Sequence, residues 1–248
     1  MRTGMLTSTE RLARTRIRVS RGDGLARCSV RSAVTLSDPT AASIRPMLVD
    51  HSRTGARVSL VPEGALLLAG DAIEIDVAVD AGARLDLIEP GGTVAFDMRG
   101  ASASWSVLIT LGPGATLTWA GEPFVVSAGG DVQRRTVARL AGGARLHLRE
   151  SLVLGRYGEL PGTVRQRTEV SVDRNPVLVE DLPLDPTTTP ALLGGHRVVS
   201  SVLAVGGDGP ADGPAEDRYD LDGGGTLWRR LGVHAHEAGL TAAWGAGS

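Results

Sequence analysis

The chain has 248 residues, long enough to bury about 70% of its extended surface without disulfides or a structural metal. All 26 basic residues are arginine, which excludes a P-loop lysine, a Schiff-base lysine and a lysine general base. A net charge of −2 gives no global pull toward nucleic acid or anionic membrane, and the single Cys28 excludes an intrachain disulfide.

The first 31 residues carry eight arginines against Glu10 and Asp23. An arginine-faced protein contact or solvated edge accounts for them better than a nucleic-acid arm. Thr15 to Val19 alternates with period two, and Arg27 to Leu36 does so more loosely. Between them Arg21-Gly22-Asp23-Gly24 offers the positive-φ positions of a hairpin turn. There is no signal-peptide run and no stretch of 18 apolar residues, so a soluble cytoplasmic protein is expected.

The middle of the chain repeats itself. Gly55-Ala56-Arg57-Val58 returns as Gly82-Ala83-Arg84-Leu85, Gly114-Ala115-Thr116-Leu117 and Gly143-Ala144-Arg145-Leu146, at intervals of 27, 32 and 29 residues. In the last three copies an alternating strand precedes the glycine, as in Ile73 to Val79. This predicts strand, glycine turn, strand, in units that bury their apolar faces only by stacking. The fold class expected is mostly β: an elongated, β-helix or solenoid-like stack with a few short helices, across one domain of residues 1–248.

Beyond Val179 the texture changes. Pro183, Pro186 and Pro190 flank a threonine run, and Ala191 to Gly195 suits one helical turn. Residues 206–225 are mostly Gly, Asp and Pro and predict a mobile acidic loop. Thr226 to Trp244 suits a last strand or a short helix.

Catalytic motifs are absent. The chain has no Gly-x-Ser-x-Gly elbow, no His-Glu-x-x-His and no dinucleotide fingerprint. His234 and His236, two apart on a strand, would share one face as half a metal site, with nothing near in sequence to complete it. Glu150 and Glu159 could serve as paired acids for glycoside chemistry, which keeps a β-solenoid carbohydrate-active protein as the alternative, beside an unrelated interaction module. Four Trp, two Tyr and two Phe supply little for a sugar platform.

Between residues 44 and 182 the order of segments resembles the urease accessory protein D family, UreD, also known as UreH. The segments are Arg45-Pro46-Met47-Leu48, then Pro62-Glu63-Gly64-Ala65-Leu66-Leu67-Leu68-Ala69-Gly70-Asp71, then Gly114 to Trp119 with Glu122-Pro123. They continue with Glu150 to Glu159, Arg167-Thr168-Glu169-Val170 and Pro176-Val177-Leu178-Val179-Glu180. The resemblance implies a non-enzymatic scaffold bridging apo-urease to the accessory proteins UreF and UreG. It implies no cofactor of its own, with Ni²⁺ as transient cargo moving through an internal channel. Nickel in transit needs oxygen ligands that release it. By motif position Asp71, Glu150 and Glu180 are the candidates, followed by Glu159, where Tyr157 alone separates Gly-Arg from Gly-Glu.

Overall fold

The structure is a computed structural model that describes residues 10–24, 26–207 and 215–244. Strands dominate it. The chain opens with β1 (Arg11–Ser20), β2 (Ser29–Leu36), β3 (Ser43–His51) and β4 (Gly55–Glu63). There follow β5 (Asp71–Val79), β6 (Arg84–Ile88), β7 (Thr93–Ala95) and β8 (Ala103–Leu111). Next are β9 (Thr116–Val126), β10 (Asp131–Leu140), β11 (Arg145–Leu154), β12 (Thr163–Val172) and β13 (Asn175–Leu184). The helix α1 (Thr189–Leu193), then β14 (Val198–Val205), β15 (Arg218–Asp220), β16 (Thr226–Gly232) and α2 (Thr241–Trp244) complete the order.

The strands form two facing sheets. The first runs β13-β12-β10-β8-β5-β1-β2, and the second β15-β16-β14-β11-β9-β6-β4-β3, with β7 beside β9. At the centre of each, neighbours are parallel: β1, β5, β8, β10 and β12 in the first, β4, β6, β9 and β11 in the second. The chain winds from one sheet to the other and back, each coil one strand further along. At both ends of both sheets the outermost strand runs antiparallel to its neighbour.

Glycine corners make the winding possible. In three successive turns the amide of Ala83, Ala115 or Ala144 donates to the carbonyl of Asp80, Gly112 or Ala141. The third residue of each turn is Gly82, Gly114 or Gly143, at φ of 65°, 64° and 73°. A positive φ at that position defines a type II-like turn and disfavours any residue with a Cβ. The alanine after each glycine is buried where the coils crowd. The first copy of the repeat departs from this. Gly55 lies at the start of β4, and its neighbour Ala56 pairs with Leu85, not with Ala83, so that copy sits two residues out of phase with the others. It opens the second strand of the β3–β4 hairpin, where no coil comes before it.

Leucines fill the gap between the sheets in rows. Leu85, Leu117 and Leu146 stand in register across β6, β9 and β11, all essentially inaccessible to solvent. They face Val79, Leu111 and Leu140 from the other sheet within one apolar cluster. The expected β1–β2 hairpin is present, with Ala13 opposite Leu36 and Ser20 opposite Ser29.

The C-terminal part contains both elements anticipated as alternatives, a strand and a short helix. Of the acidic loop anticipated at 206–225, residues 208–214 lie outside the described residues. The described remainder is ordered against the sheet: Ala215–Asp217 form a 3-10 turn, and β15 pairs with β16. Arg218 to Asp220 thereby cover the edge of β16 at Thr226 to Trp228.

Helix α2 folds back over the outer face of the second sheet. Leu240 and Ala243 pack on Val202, Ala204 and Trp228, and Trp244 stacks on His147 at 4.4 Å between ring centres. Burial pushes the His147 imidazole below its usual 6.5, partly offset by a hydrogen bond with the Ala243 backbone. The unfolded chain therefore takes up a proton that the folded chain resists, so stability is present above pH 6.5 and drains away as pH falls below it. His147→Phe, which keeps the stack on Trp244, is expected to flatten that slope in thermal melts between neutral and mildly acid pH. An unaltered slope would show that other groups carry it.

Candidate functional site

The notable feature of the interior is a polar row inside an apolar core. It begins with a bulge: between the pairs Arg149–Ala120 and Ser151–Pro123, strand β9 has two residues, Gly121 and Glu122, opposite the single Glu150. Gly121 fits because a Cβ there would lie 2.4 Å from the Arg149 carbonyl oxygen. Bulges re-aim side chains, and here Glu150 shares the inward phase of Leu146, Leu148, Leu152 and Leu154.

Across the gap, Arg134 on β10 reaches the same place. Its Nη2 donates to Glu150 Oε1 at 2.7 Å and its Nη1 to Gln166 Oε1 at 2.7 Å, while the guanidinium lies 5.1 Å from the centre of the Phe124 ring. The Arg134 and Glu150 side chains keep only 10% and 15% of their accessible surface, and Arg134 Nε is buried with no partner. Beside them lies a cavity of about 30 Å³, above the ~10–15 Å³ that holds one water. Glu89, Glu122, Thr93 and Thr136 contribute to its wall.

Glu89 is a further acid in that wall. Trp119 Nε1 and the Glu122 amide donate to its two oxygens, each at 2.9 Å. Burial nonetheless drives its carboxyl above the usual carboxylate range. Away from the cavity the row continues along the stack. Glu150 is in register with Ser201 on β14, and Ser201 with Arg229 on β16. Arg229 donates from Nε to Ser201 Oγ at 3.1 Å and from both terminal nitrogens to the Glu180 carboxylate on β13, from Nη2 at 2.8 Å. From β6 to β16 the row crosses four strand spacings, or about 19 Å.

The four acids singled out from sequence therefore separate into two groups. Glu150 and Glu180 lie on this row. Asp71 lies elsewhere, at the start of β5, 2% exposed, where it accepts from Arg11 Nη2 at 2.7 Å and from the Leu68 amide at 2.7 Å. Glu159 belongs to an exposed turn, pairing with Arg156 at 2.9 Å through Nε, which holds its carboxyl below the usual range. No described hydrogen bond or ion pair joins Asp71 or Glu159 to the row. Each of the four has an arginine partner. Among the described residues no cluster of three or more His, Cys, Asp or Glu is arranged to hold a metal.

His234 and His236 do not share a strand face. β16 ends at Gly232, and the two rings stack 5.6 Å apart in the turn beyond, where Glu237 accepts from the Val233 and His234 amides at 2.8 and 3.1 Å. The chain turns there because Glu237 satisfies amides that a continuing strand would have paired. Sequence reasoning missed Arg134, Gln166, Arg229 and Glu89. For the first three a signal existed: each occupies the apolar phase of an alternating strand, as Arg134 does among Val132, Thr136 and Ala138. Glu89 lies in a Glu-Pro-Gly-Gly turn and had no such mark.

None of the described helices is long and apolar enough to cross a membrane. Residues 13–246 match the family model described as UreD urease accessory protein. Urease accessory protein UreD 1 of Streptomyces griseus is 45% identical over 203 residues, covering 80% of this chain and 78% of that protein. UreD 2 of Saccharopolyspora erythraea is 37% identical over 157 residues, covering 60% of this chain and 55% of that protein. UreD of Frankia casuarinae is 37% identical over 196 residues, covering 73% and 61%. The chain thus spans little more than half the length of these last two relatives. All three are named as accessory proteins, not as enzymes. On the extent of these matches, the chain belongs to the UreD family of urease accessory proteins.

Proposed function

We propose that the chain serves urease maturation as a non-catalytic scaffold, bridging apo-urease to the accessory proteins UreF and UreG, and that Ni²⁺ passes through its interior as cargo. The observation that carries the second part is the polar row. Buried ion pairs are commonly no more stabilising than apolar residues of the same volume, so Glu150, Arg134, Glu180 and Arg229 call for a reason other than stability. A row of carboxylate, amide and hydroxyl oxygens along the stack axis supplies hard donors at strand spacing. Such donors hold a divalent cation and release it, where thiolates would trap it.

The Glu150 and Glu180 carboxylates are each already neutralised by a guanidinium. An arriving cation has to compete with that guanidinium for the carboxylate oxygens. This lowers the net affinity at every station, which suits passage over storage. Glu150→Gln with Glu180→Gln retains the shape of both side chains and removes both charges. Urease matured with this variant is expected to contain much less nickel, by about tenfold or more at limiting Ni²⁺, while urease and UreF still co-purify with the chain. Full nickel content would refute conduction; loss of co-purification from the unmodified chain would refute the scaffold.

A further inference from the structure

The outward face of the first sheet carries a groove of about 400 Å³. Its walls are arginines from two strands that are not neighbours, Arg14 and Arg16 on β1 and Arg135 and Arg139 on β10. Strand register explains the shape. Arg16, Asp76, Leu108 and Val137 make one row across β1, β5, β8 and β10, and Arg14, Glu74, Ser106 and Arg135 make the next. Long side chains thus stand on either side of a trough floored by shorter ones, over three strand spacings or about 14 Å.

The charges in the groove do not cancel. Arg14 pairs with Glu74, and Arg135 with Glu169. Arg16 and Arg139 are exposed, and neither has an ion-pair partner among the described residues, although Asp76 stands opposite Arg16 in register. The lining holds four guanidinium groups against two carboxylates, Glu74 and Asp76. Guanidinium groups hold carboxylates through two parallel hydrogen bonds, and Leu108 and Val137, half-buried between the walls, offer apolar footing.

We propose that this groove receives an extended acidic segment of a partner protein, with its carboxylates on Arg16 and Arg139 and its apolar side chains on Leu108 and Val137. Nucleic acid is the poorer fit. Its closely spaced phosphates would meet Glu74, Asp76 and Glu169, whereas a polypeptide places its carboxylates singly and its apolar groups between them. The groove opens on the side of the sheet away from the interior row, so this interface stands whether or not nickel is conducted.

The test is fluorescence anisotropy on the full chain, with a labelled peptide of alternating glutamate and leucine as probe. The peptide is expected to bind at low salt, and R16Q/R139Q to weaken it by about tenfold or more. R16K/R139K, which keeps the charge but not the paired hydrogen bonds, is expected to fall between. R57Q/R145Q makes the same charge change with exposed arginines on the second sheet and is expected to leave binding unaltered. Absence of peptide binding, or equal losses from the two glutamine pairs, would overturn the proposal. So would tighter binding of single-stranded DNA that is lost with R16Q/R139Q.

Discussion

Glu150→Ala is expected to destabilise the fold by about 3–5 kcal/mol, because it strands the Arg134 guanidinium inside the sandwich with Gln166 as its only polar partner. In a domain of this size that loss lowers the melting temperature by roughly 10 °C. The informative comparison is R134M/E150L, which replaces both charges with apolar groups of similar volume. Relative to Glu150→Ala most of the stability should return, since neither charge of the pair is left unpaired and Trp105, Val107, Phe124 and Leu148 offer apolar contact in the cavity wall. Thermal melts of the single and double variants measure this directly. A double variant as unstable as the single would mean that the pair itself stabilises the fold. If instead the double variant is stable and assembles with urease yet fails to mature it, the charges are retained for function.

Leu117→Ala is the second large effect, expected to cost about 2–5 kcal/mol. Leu117 is held in register between Leu85 and Leu146 and has no exposed surface. Collapse around the cavity is limited because both neighbours are fixed by the same backbone ladder. Thr118, one residue on, points away from this core, and Thr118→Ala should stay within about 0.5 kcal/mol of the parent. Denaturant unfolding of the two variants separates them. Similar losses from both would mean that position 117 is not the inward phase of β9.

The stack was legible because two periodicities coincide. Alternation within strands marks the buried face, and Gly-Ala after each strand marks the corner where the chain changes sheet. Both are local, and both survive in the structure at Gly82, Gly114 and Gly143. The first copy of the motif, at Gly55, starts a strand as expected but as the second arm of a hairpin, since the same four residues suit a tight corner or a strand entry. Strand order was not legible, because it depends on which coil lies beside which.

For the candidate site, Glu150 and Glu180 were identified by family likeness, and strand phase would have found them independently. Their arginine partners come from strands 16 and 49 residues away, a pairing that no local pattern contains. The bulge opposite Glu150 is a mismatch between β9 and β11, visible only when both strands are placed side by side. His234 and His236 illustrate the converse. Their spacing suited a strand, but the carboxylate of Glu237 binds the backbone there and bends the chain away.

The reversed strands at the two ends of the stack mark where its parallel order stops. A parallel coil invites another of its kind, and an uncapped stack of such coils would grow by adding copies end to end. Here the terminal strands β2, β3, β13 and β15 each run opposite to the strand behind them, so a strand in the direction of the coils could join an edge only in antiparallel pairing. The uninterrupted parallel run of the coils therefore ends within the chain, short of each edge.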